Sequence, residues 1–180
     1  MSSYIVLTAV GPDRPGLVDE ISAFLAARNV NIEDSCMAVL GGEFAVILLG
    51  SGEAGALEKL ADNLVVLKKN TSLSIQMKQT IAPNARQVPP SLPHRLSATS
   101  MDHPGIVHEI SRILHKRNIN IESLGTHVAH APVSGTPLFT MKCIINIPVG
   151  EKLSSLRREL EELGDCMDID IEIETADACR

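Results

Sequence analysis

The sequence predicts an α+β protein made of two ferredoxin-like βαββαβ domains, each with two helices on one face of an antiparallel four-stranded sheet. Two observations carry this prediction. The segment Asp13–Glu33 returns 89 residues later with thirteen of its twenty-one residues unchanged and no gap. Short apolar, β-branched runs also alternate with segments in which apolar residues recur at helical spacing. A repeat of this length indicates two related domains with the same order of elements.

The first domain is expected to run strand, helix, strand, strand, helix, strand. Gly41-Gly42 is typical of a hairpin turn between the second and third strands. The first helix carries one apolar stripe and ends near Arg28-Asn29; the stripe is formed by Leu17, Val18, Ile21, Phe24 and Leu25. The predicted strands are Tyr4–Val10, Asn31–Val39, Phe44–Leu49 and a fourth around Leu73–Met77, with a turn at Asp13–Gly16 and a second helix at Ala54–Lys68.

The second domain repeats this order with one difference in length. Its β2–β3 hairpin is six residues longer, around Ala131–Gly135. The first helix has the matching stripe Ile106, Val107, Ile110, Ile113 and Leu114, and leucines from Leu153 to Leu163 mark the last helix. Residues 167–174 alternate apolar and acidic side chains, which predicts a half-buried strand beginning at Met167. We therefore expect domains at 1–79 and 93–176, a proline-rich linker at 80–92 and a tail at 177–180.

Composition and charge narrow the class of function. The chain has 180 residues, a formal net charge of −6 and only four aromatic residues, so a direct nucleic-acid interface is not expected. Its four cysteines form no CxxC pair, which favours reduced thiols in a cytoplasmic protein. Neither a signal peptide nor an apolar run of about 20 residues is present in the sequence, so no membrane association is expected.

Metal, cofactor and catalytic motifs are not apparent in the sequence. All six histidines lie in the second half, but His108 and His115 are two helical turns apart, and His127 and His130 should face opposite sides of a strand. No nucleophile elbow, P-loop, GxGxxG or HExxH motif occurs. We expect no cofactor, no metal site and no enzyme activity, and we interpret the acidic face of the last strand as solvated.

The repeated loop is the best candidate for a ligand site. Asp13-Arg14-Pro15-Gly16 and Asp102-His103-Pro104-Gly105 each precede a helix, with the proline expected in its first turn. A helix N-terminus attracts a carboxylate, while an adjacent Asp attracts an ammonium, so the loop suits a zwitterion such as a free amino acid. The same residues are equally typical of a capped helix start with a tight turn, and both interpretations stay open.

Asparagines follow the first helix of each domain. In Asn29-Val30-Asn31-Ile32 and Asn118-Ile119-Asn120-Ile121, one Asn is expected to adopt a left-handed helix cap. The other could reach a ligand at the loop with its side-chain amide. Ser22 and Ser111 also repeat, and a hydrogen bond within the helix explains them best.

Together, the D-x-P-G loop after the first strand and N-[VI]-N-I after the first helix resemble the ACT domain, and two such units resemble the glycine cleavage system transcriptional repressor group. The resemblance implies side-by-side pairing of domains and amino-acid binding at their interface. The ligand contacts that it implies are Asp13, Arg14, Pro15, Gly16, Leu17, Val18, Asn31 and Ile32, and in the second copy Asp102, His103, Pro104, Gly105, Ile106, Val107, Asn120 and Ile121.

Two functions are compatible with this resemblance. The first is an amino-acid-binding regulator of glycine or amino-acid metabolism that acts indirectly on transcription, through a protein partner such as a transcription factor, with glycine or serine as the expected ligand. The alternative is a detached regulatory subunit of an amino-acid biosynthetic enzyme. Exposed sheet edges also suggest a homodimer.

Overall fold

The computed structural model describes residues 2–85, 89–132 and 134–176, and its chain forms two compact units that divide between residues 87 and 88. Each unit contains four strands and two helices in the order βαββαβ. The predicted fold class, with two ferredoxin-like domains, is confirmed. The predicted tail at 177–180 lies outside the described residues.

The first unit contains strands β1 to β4 and helices α1 and α2. Its elements are β1 (Ser3–Pro12), α1 (Leu17–Ala26), β2 (Asn31–Leu40), β3 (Glu43–Gly52), α2 (Ala54–Thr71) and β4 (Ser74–Thr80). The strands lie in the order β2-β3-β1-β4, and all neighbours are antiparallel. Gly41 and Gly42 both have positive φ, at 60° and 86°, and form the two-residue turn between β2 and β3. A short 3₁₀ helix, Pro83–Ala85, follows β4.

The second unit repeats this topology. Its elements are β5 (Ser91–Met101), α3 (Ile106–Lys116), β6 (Asn120–His130), β7 (Pro137–Pro148), α4 (Leu153–Met167) and β8 (Ile169–Thr175). The sheet order is β6-β7-β5-β8. Val128 pairs with Phe139 as Val39 pairs with Phe44, so the hairpin beyond this pair is six residues longer, as predicted.

Aliphatic side chains form a separate core in each unit. In the first unit, Ile5 and Leu7 of β1 are fully buried between the sheet and the two helices, together with Leu25 of α1 and Leu60 of α2. In the second, Leu96, Leu114 and Leu156 hold the places of Leu7, Leu25 and Leu60. The helices cover one face of each sheet, and the outer strands β2 and β6 are almost entirely exposed.

Three details differ from the sequence prediction. Helix α1 begins at Leu17, so Pro15 precedes the helix and does not lie in its first turn, because Gly16 adopts a left-handed conformation between them. Val18 is 55% exposed and does not belong to the buried stripe. Met167 is the last residue of α4, and Asp168 turns the chain with φ 53°, so the last strand begins only at Ile169.

The two repeated serines make the predicted helical hydrogen bonds. The Ser22 hydroxyl donates to the Asp19 carbonyl at 3.0 Å, and the Ser111 hydroxyl donates to the His108 carbonyl at 2.9 Å. Within the described residues, no helix combines the length and the apolar character that crossing a bilayer requires.

Candidate functional site

The repeated loops have the same backbone geometry in both units. Gly16 has φ 95° and Gly105 has φ 107°, a left-handed conformation that side chains with a Cβ adopt only under strain. A Cβ on Gly105 would meet nothing within 4 Å, and one on Gly16 would make only ordinary contacts with Glu20 and Arg14. The left-handed backbone conformation is therefore the direct reason for a glycine at both positions.

Helices α1 and α3 start at these glycines without a side-chain cap. No side chain accepts a hydrogen bond from the first turn of either helix, and Asp13 and Asp102 are exposed. The first backbone hydrogen bonds of the helices run from Glu20 N–H to the Gly16 carbonyl and from Glu109 N–H to the Gly105 carbonyl. The interpretation of the aspartate as a helix cap is therefore wrong. The N-terminal N–H groups keep their partial positive charge, and an exposed carboxylate stands three residues before each glycine in the sequence.

Each loop is fixed to the hairpin at the same end of its sheet. The Asp13 N–H donates to the Gly42 carbonyl at 2.9 Å, and the Asp102 N–H donates to the Pro137 carbonyl at 3.0 Å. The aspartate backbone is therefore held by the β2–β3 or β6–β7 hairpin, while its side chain faces solvent. The longer second hairpin keeps this contact, because its extra residues lie in the loop between the end of β6 at His130 and Pro137.

The variable second residue of the loop gives each site a different chemistry. The Arg14 guanidinium contacts both carboxylate oxygens of Glu20, at 2.6 and 2.8 Å, and reaches the Asn70 carbonyl at 3.4 Å. The hydrogen bond from Arg14 lowers the pKa of the Glu20 carboxyl, with a smaller contribution from the arginine charge. In the second loop the His103 ring lies 3.2 Å from the Pro104 carbonyl and 3.4 Å from that of Met167.

The structure does not bring Asn31 to the loop of its own domain. Asn31 pairs with Ser51 at one end of β3, whereas the loop is held by the hairpin at Glu43, eight residues away. Eight residues of strand span about 26 Å. Asn120 is likewise paired with Asn146, at the far end of β7 from Pro137. The expectation that this amide reaches a ligand at the loop of the same domain is therefore wrong, because β2 runs antiparallel to β3 and starts at the opposite edge.

The neighbouring asparagines adopt the predicted cap. Asn29 and Asn118 have φ 56° and 52°, and the residue after each donates its N–H to the carbonyl of Leu25 or Leu114. These bonds satisfy carbonyls in the last turn of α1 and α3. The turn then leads directly into β2 or β6.

A repeated β-bulge was not anticipated from the sequence. The register of β2 shifts between Ile32 and Asp34, and that of β6 shifts between Ile121 and Ser123, so the extra residue is Glu33 or Glu122. The Glu33 carboxylate accepts hydrogen bonds from the Ser51 hydroxyl and the Asn31 amide, and these two bonds lower its pKa in that order. The Asn146 amide donates to Glu122 in the second unit at 3.2 Å. The sequence contained one indication of this bulge, because a glutamate stands at the same position of both repeats, as Glu33 and Glu122.

No cluster of three or more His, Cys, Asp or Glu side chains in the described parts of the chain is arranged to hold an ion. Cys36 and Cys166 are exposed free thiols, and burial raises the pKa of the Cys143 thiol to about 11. His94 is buried, with Nδ1 3.1 Å from the Leu92 carbonyl, which indicates a structural role.

The fold and both loops define a class of protein. The sequence matches ACT-domain models over residues 3–78 and again over 94–163, so the chain belongs to the ACT-domain family, with two domains in tandem. It is related in sequence to proteins described as glycine cleavage system transcriptional repressors. The Escherichia coli K12 repressor is 33% identical over 121 residues, which are 67% of this chain and 63% of the relative. The match therefore spans less than two thirds of that relative's length.

Two solved structures resemble the whole chain. A crystal structure of an uncharacterised protein from Galdieria sulphuraria superposes with a TM-score of 0.82 at 25% identity, over 98% of this chain and all of the other. A crystal structure of a candidate glycine cleavage system transcriptional repressor superposes with a TM-score of 0.71 at 25% identity, over 98% of both chains. Both similarities include the two ACT domains.

Proposed function

We propose that this protein binds a small free amino acid at its two D-x-P-G loops and passes the binding signal to a protein partner. The observation that carries the proposal is the repeated helix start at Gly16 and Gly105, which has no side-chain cap and lies beside a solvated aspartate. Similarity to a transcriptional repressor supports the regulatory part of the proposal.

The chemistry of the loop suits the two ends of an amino acid. Backbone N–H groups at Leu17 and Val18, or Ile106 and Val107, can donate to an α-carboxylate at the positive end of the helix dipole. The carboxylate of Asp13 or Asp102 can accept from the α-ammonium group. The relative's connection with glycine cleavage makes glycine and serine the first candidates.

A second ACT domain is needed to complete the proposed site. Asn31 and Ile32 lie at the far end of the sheet from their own loop, so they serve a ligand bound at another domain. When two edge strands pair antiparallel, the start of one strand lies beside the end of the other. Pairing of β2 with β2 of a second copy of the chain, or of β6 with β6, would therefore place an asparagine and an isoleucine of one copy near the matching loop of the other.

Regulation through a protein partner fits the charge of the chain better than direct nucleic-acid binding. The net charge is −6, and aromatic residues make up 2% of the chain, so neither a phosphate-binding surface nor a base-stacking platform is supported. In this proposal the protein is a non-catalytic cytoplasmic regulator. The partner is a transcription factor or, in the alternative, a biosynthetic enzyme, and co-purification distinguishes the two.

Thermal unfolding against a panel of free amino acids tests ligand binding. A ligand that binds the folded state raises the unfolding midpoint by an amount that grows with the logarithm of its concentration. We expect a selective shift with glycine or serine. The double variant Asp13→Asn/Asp102→Asn should lose this shift while its unfolding in buffer is unchanged, because neither aspartate caps a helix.

Asp62→Asn is the matched control, since Asp62 is an exposed aspartate in the middle of α2, eight residues before the Asn70 carbonyl that Arg14 reaches. It should keep the full shift. A panel without any selective shift would contradict amino-acid binding, and a shift that survives the double substitution would place the ligand elsewhere.

A further inference from the structure

The helix-free face of the first sheet is an apolar surface. Side chains from the four strands align across it in three rows, which are Asp34, Leu49, Val6 and Lys78; Cys36, Ile47, Thr8 and Gln76; and Ala38, Ala45, Val10 and Ser74. We call these twelve residues the open face. Ile47 is 51% exposed and Val10 is 49% exposed, although both lie near the centre of a sheet. Two shallow depressions of about 310 and 240 Å³ meet at Val6.

The second domain shows what the same face looks like when it is polar. Arg95 replaces Val6, Lys142 replaces Ile47 and Thr99 replaces Val10 at the corresponding positions of the repeat. Asp170, Glu172 and Glu174 add a line of carboxylates along β8. A sheet face in contact with water normally carries polar side chains, as this one does. The apolar open face is therefore specific to the first domain and is not required by the fold.

Charges at the two margins of the open face make it complementary to itself. Asp34 lies on the outer strand β2, and Lys78 lies on the opposite outer strand β4, in the same row as Leu49 and Val6. A two-fold axis parallel to the strands, between two facing sheets, exchanges the two margins. It places Asp34 opposite Lys78 of the partner subunit and Lys78 opposite Asp34 of the partner subunit, with Val6 and Leu49 between them.

We propose that the open face of the first domain is the interface on which a second copy of this chain packs, sheet against sheet. Two antiparallel sheets pack face to face at about 10 Å, with apolar side chains between them. The two margin charge pairs favour this orientation of the two copies, because an arrangement that places β2 over β2 of the other copy cannot form them. This interface does not depend on the proposed ligand.

Sedimentation velocity over a concentration series tests the interface, with Ile47→Lys as the first variant. The variant introduces the residue that the second domain already carries at this position, so the fold tolerates it. It should lower the association constant at least about tenfold, since burying two lysines among apolar side chains costs more than about 1.4 kcal/mol. Thr99→Lys on the corresponding face of the second domain is the control and should associate like the parent.

A charge exchange tests the orientation. Asp34→Lys and Lys78→Asp each create two repulsive pairs across the two-fold axis, and each should weaken association. The double variant Asp34→Lys/Lys78→Asp restores two attractive pairs and should recover most of the association of the parent.

The exposed thiols give an independent measurement. Cys36 lies on the open face, whereas Cys166 lies on α4 in the second domain, and both are exposed. Maleimide labelling followed by peptide mapping should show that Cys36 reacts more slowly as the protein concentration rises, while Cys166 keeps a constant rate.

Four results would overturn the proposal. They are a parent protein that stays monomeric over the whole series, an Ile47→Lys variant that associates like the parent, a double charge variant that stays as weak as the single ones, and a Cys36 labelling rate that does not depend on concentration.

Discussion

Arg14 and His103 hold the same position in the repeat, and each directs a side-chain nitrogen at 3.4 Å to a backbone carbonyl in the last turn of the second helix of its domain. Arg14 reaches Asn70, and His103 reaches Met167. In each domain this side chain therefore bridges the start of the first helix and the end of the second. The shared contact explains why two different residues can occupy one position of the repeat. The two loops still differ in their charged groups, because Arg14 also pairs with Glu20.

Replacing Arg14 by histidine, the residue at the same position of the second loop, should change the first loop and leave the fold intact. In Arg14→His the pair with Glu20 is lost, and Glu20 loses the hydrogen bond that lowers its pKa. A lowered carboxyl pKa stabilises the folded state above the unfolded value of about 4.3, and this contribution disappears as the pH falls through the folded pKa. We expect the difference in unfolding midpoint between the parent and Arg14→His to shrink as the pH falls from 7 to 3. An equal difference at both pH values would show that the pair does not contribute.

The loop glycines should be intolerant of any Cβ. Gly16→Ala and Gly105→Ala force a side chain into a left-handed conformation and should each lower the free energy of unfolding by about 1 kcal/mol or more. Gly55→Ala in α2 is the matched control, because its Cβ would meet nothing within 4 Å and its backbone is helical. The control should unfold like the parent or be stabilised by up to about 1 kcal/mol. Urea unfolding distinguishes these outcomes, and equal stability of all three variants would contradict the loop geometry.

Gly164 marks the closest approach of α4 to the chain that follows it. A Cβ at this position would lie 2.5 Å from the Ile169 carbonyl oxygen, so the helix or β8 must move. Although alanine favours helices, we expect Gly164→Ala to lower the free energy of unfolding of the second domain by about 1–3 kcal/mol. Hydrogen exchange resolved by domain should show faster exchange in β8 and α4 but not in the first domain. Unchanged exchange in β8 would contradict this contact.

Arg28 and Arg117 are equivalent in the repeat but have different partners. The Arg117 side chain is 18% exposed and contacts the carboxylates of Glu151 and Glu159, the latter at 2.7 Å from Nε. The Arg28 guanidinium instead lies 3.5 Å from the centre of the Phe24 ring. We expect Arg117→Met to lower the free energy of unfolding by about 1–2 kcal/mol, because it removes a mostly buried network of charged hydrogen bonds. Arg28→Met should lower it by about 0.5–1 kcal/mol, because only the contact with the ring is lost.

The pH dependence of the Arg117 variant follows from Glu159. Its pKa is lowered mainly by the hydrogen bond from Arg117, so its stabilising effect is present above about pH 4.3 and is lost on acidification. The stability difference between Arg117→Met and the parent, measured by urea unfolding, should therefore shrink as the pH falls from 7 to 3. A difference that grows on acidification would have the wrong sign for this network.

Most of the fold could be predicted from the sequence because it depends on patterns that extend over many residues. The repeat gave two domains, and the apolar periodicity gave eight strands and four helices. The exact starts of α1 and β8 could not be predicted, since they depend on single residues with positive φ, Gly16 and Asp168.

The residues outside the loops that belong to the site were harder to predict than the loops themselves. The two motifs occur together in each repeat, which suggested that Asn31 serves the Asp13 loop. The direction of β2, however, places Asn31 and Asp13 at opposite ends of the sheet. The order βαββ already contains this information, because a strand that follows the first helix starts at the end where that helix finishes. Glu33, in contrast, was visible as a repeated residue, but its role in a bulge depends on the pairing register.

Amide chemical shifts during titration with glycine or serine would show whether the D-x-P-G helix starts bind an amino acid. On ¹⁵N-labelled protein, we expect concerted shifts of the N–H signals of Leu17, Val18, Ile106 and Val107, with the side-chain amides of Asn31 and Asn120 moving at the same ligand concentrations. Asp13→Asn/Asp102→Asn should abolish these shifts. Perturbations that avoid both loops, or spectra that do not change with any amino acid, would contradict binding at the D-x-P-G helix starts.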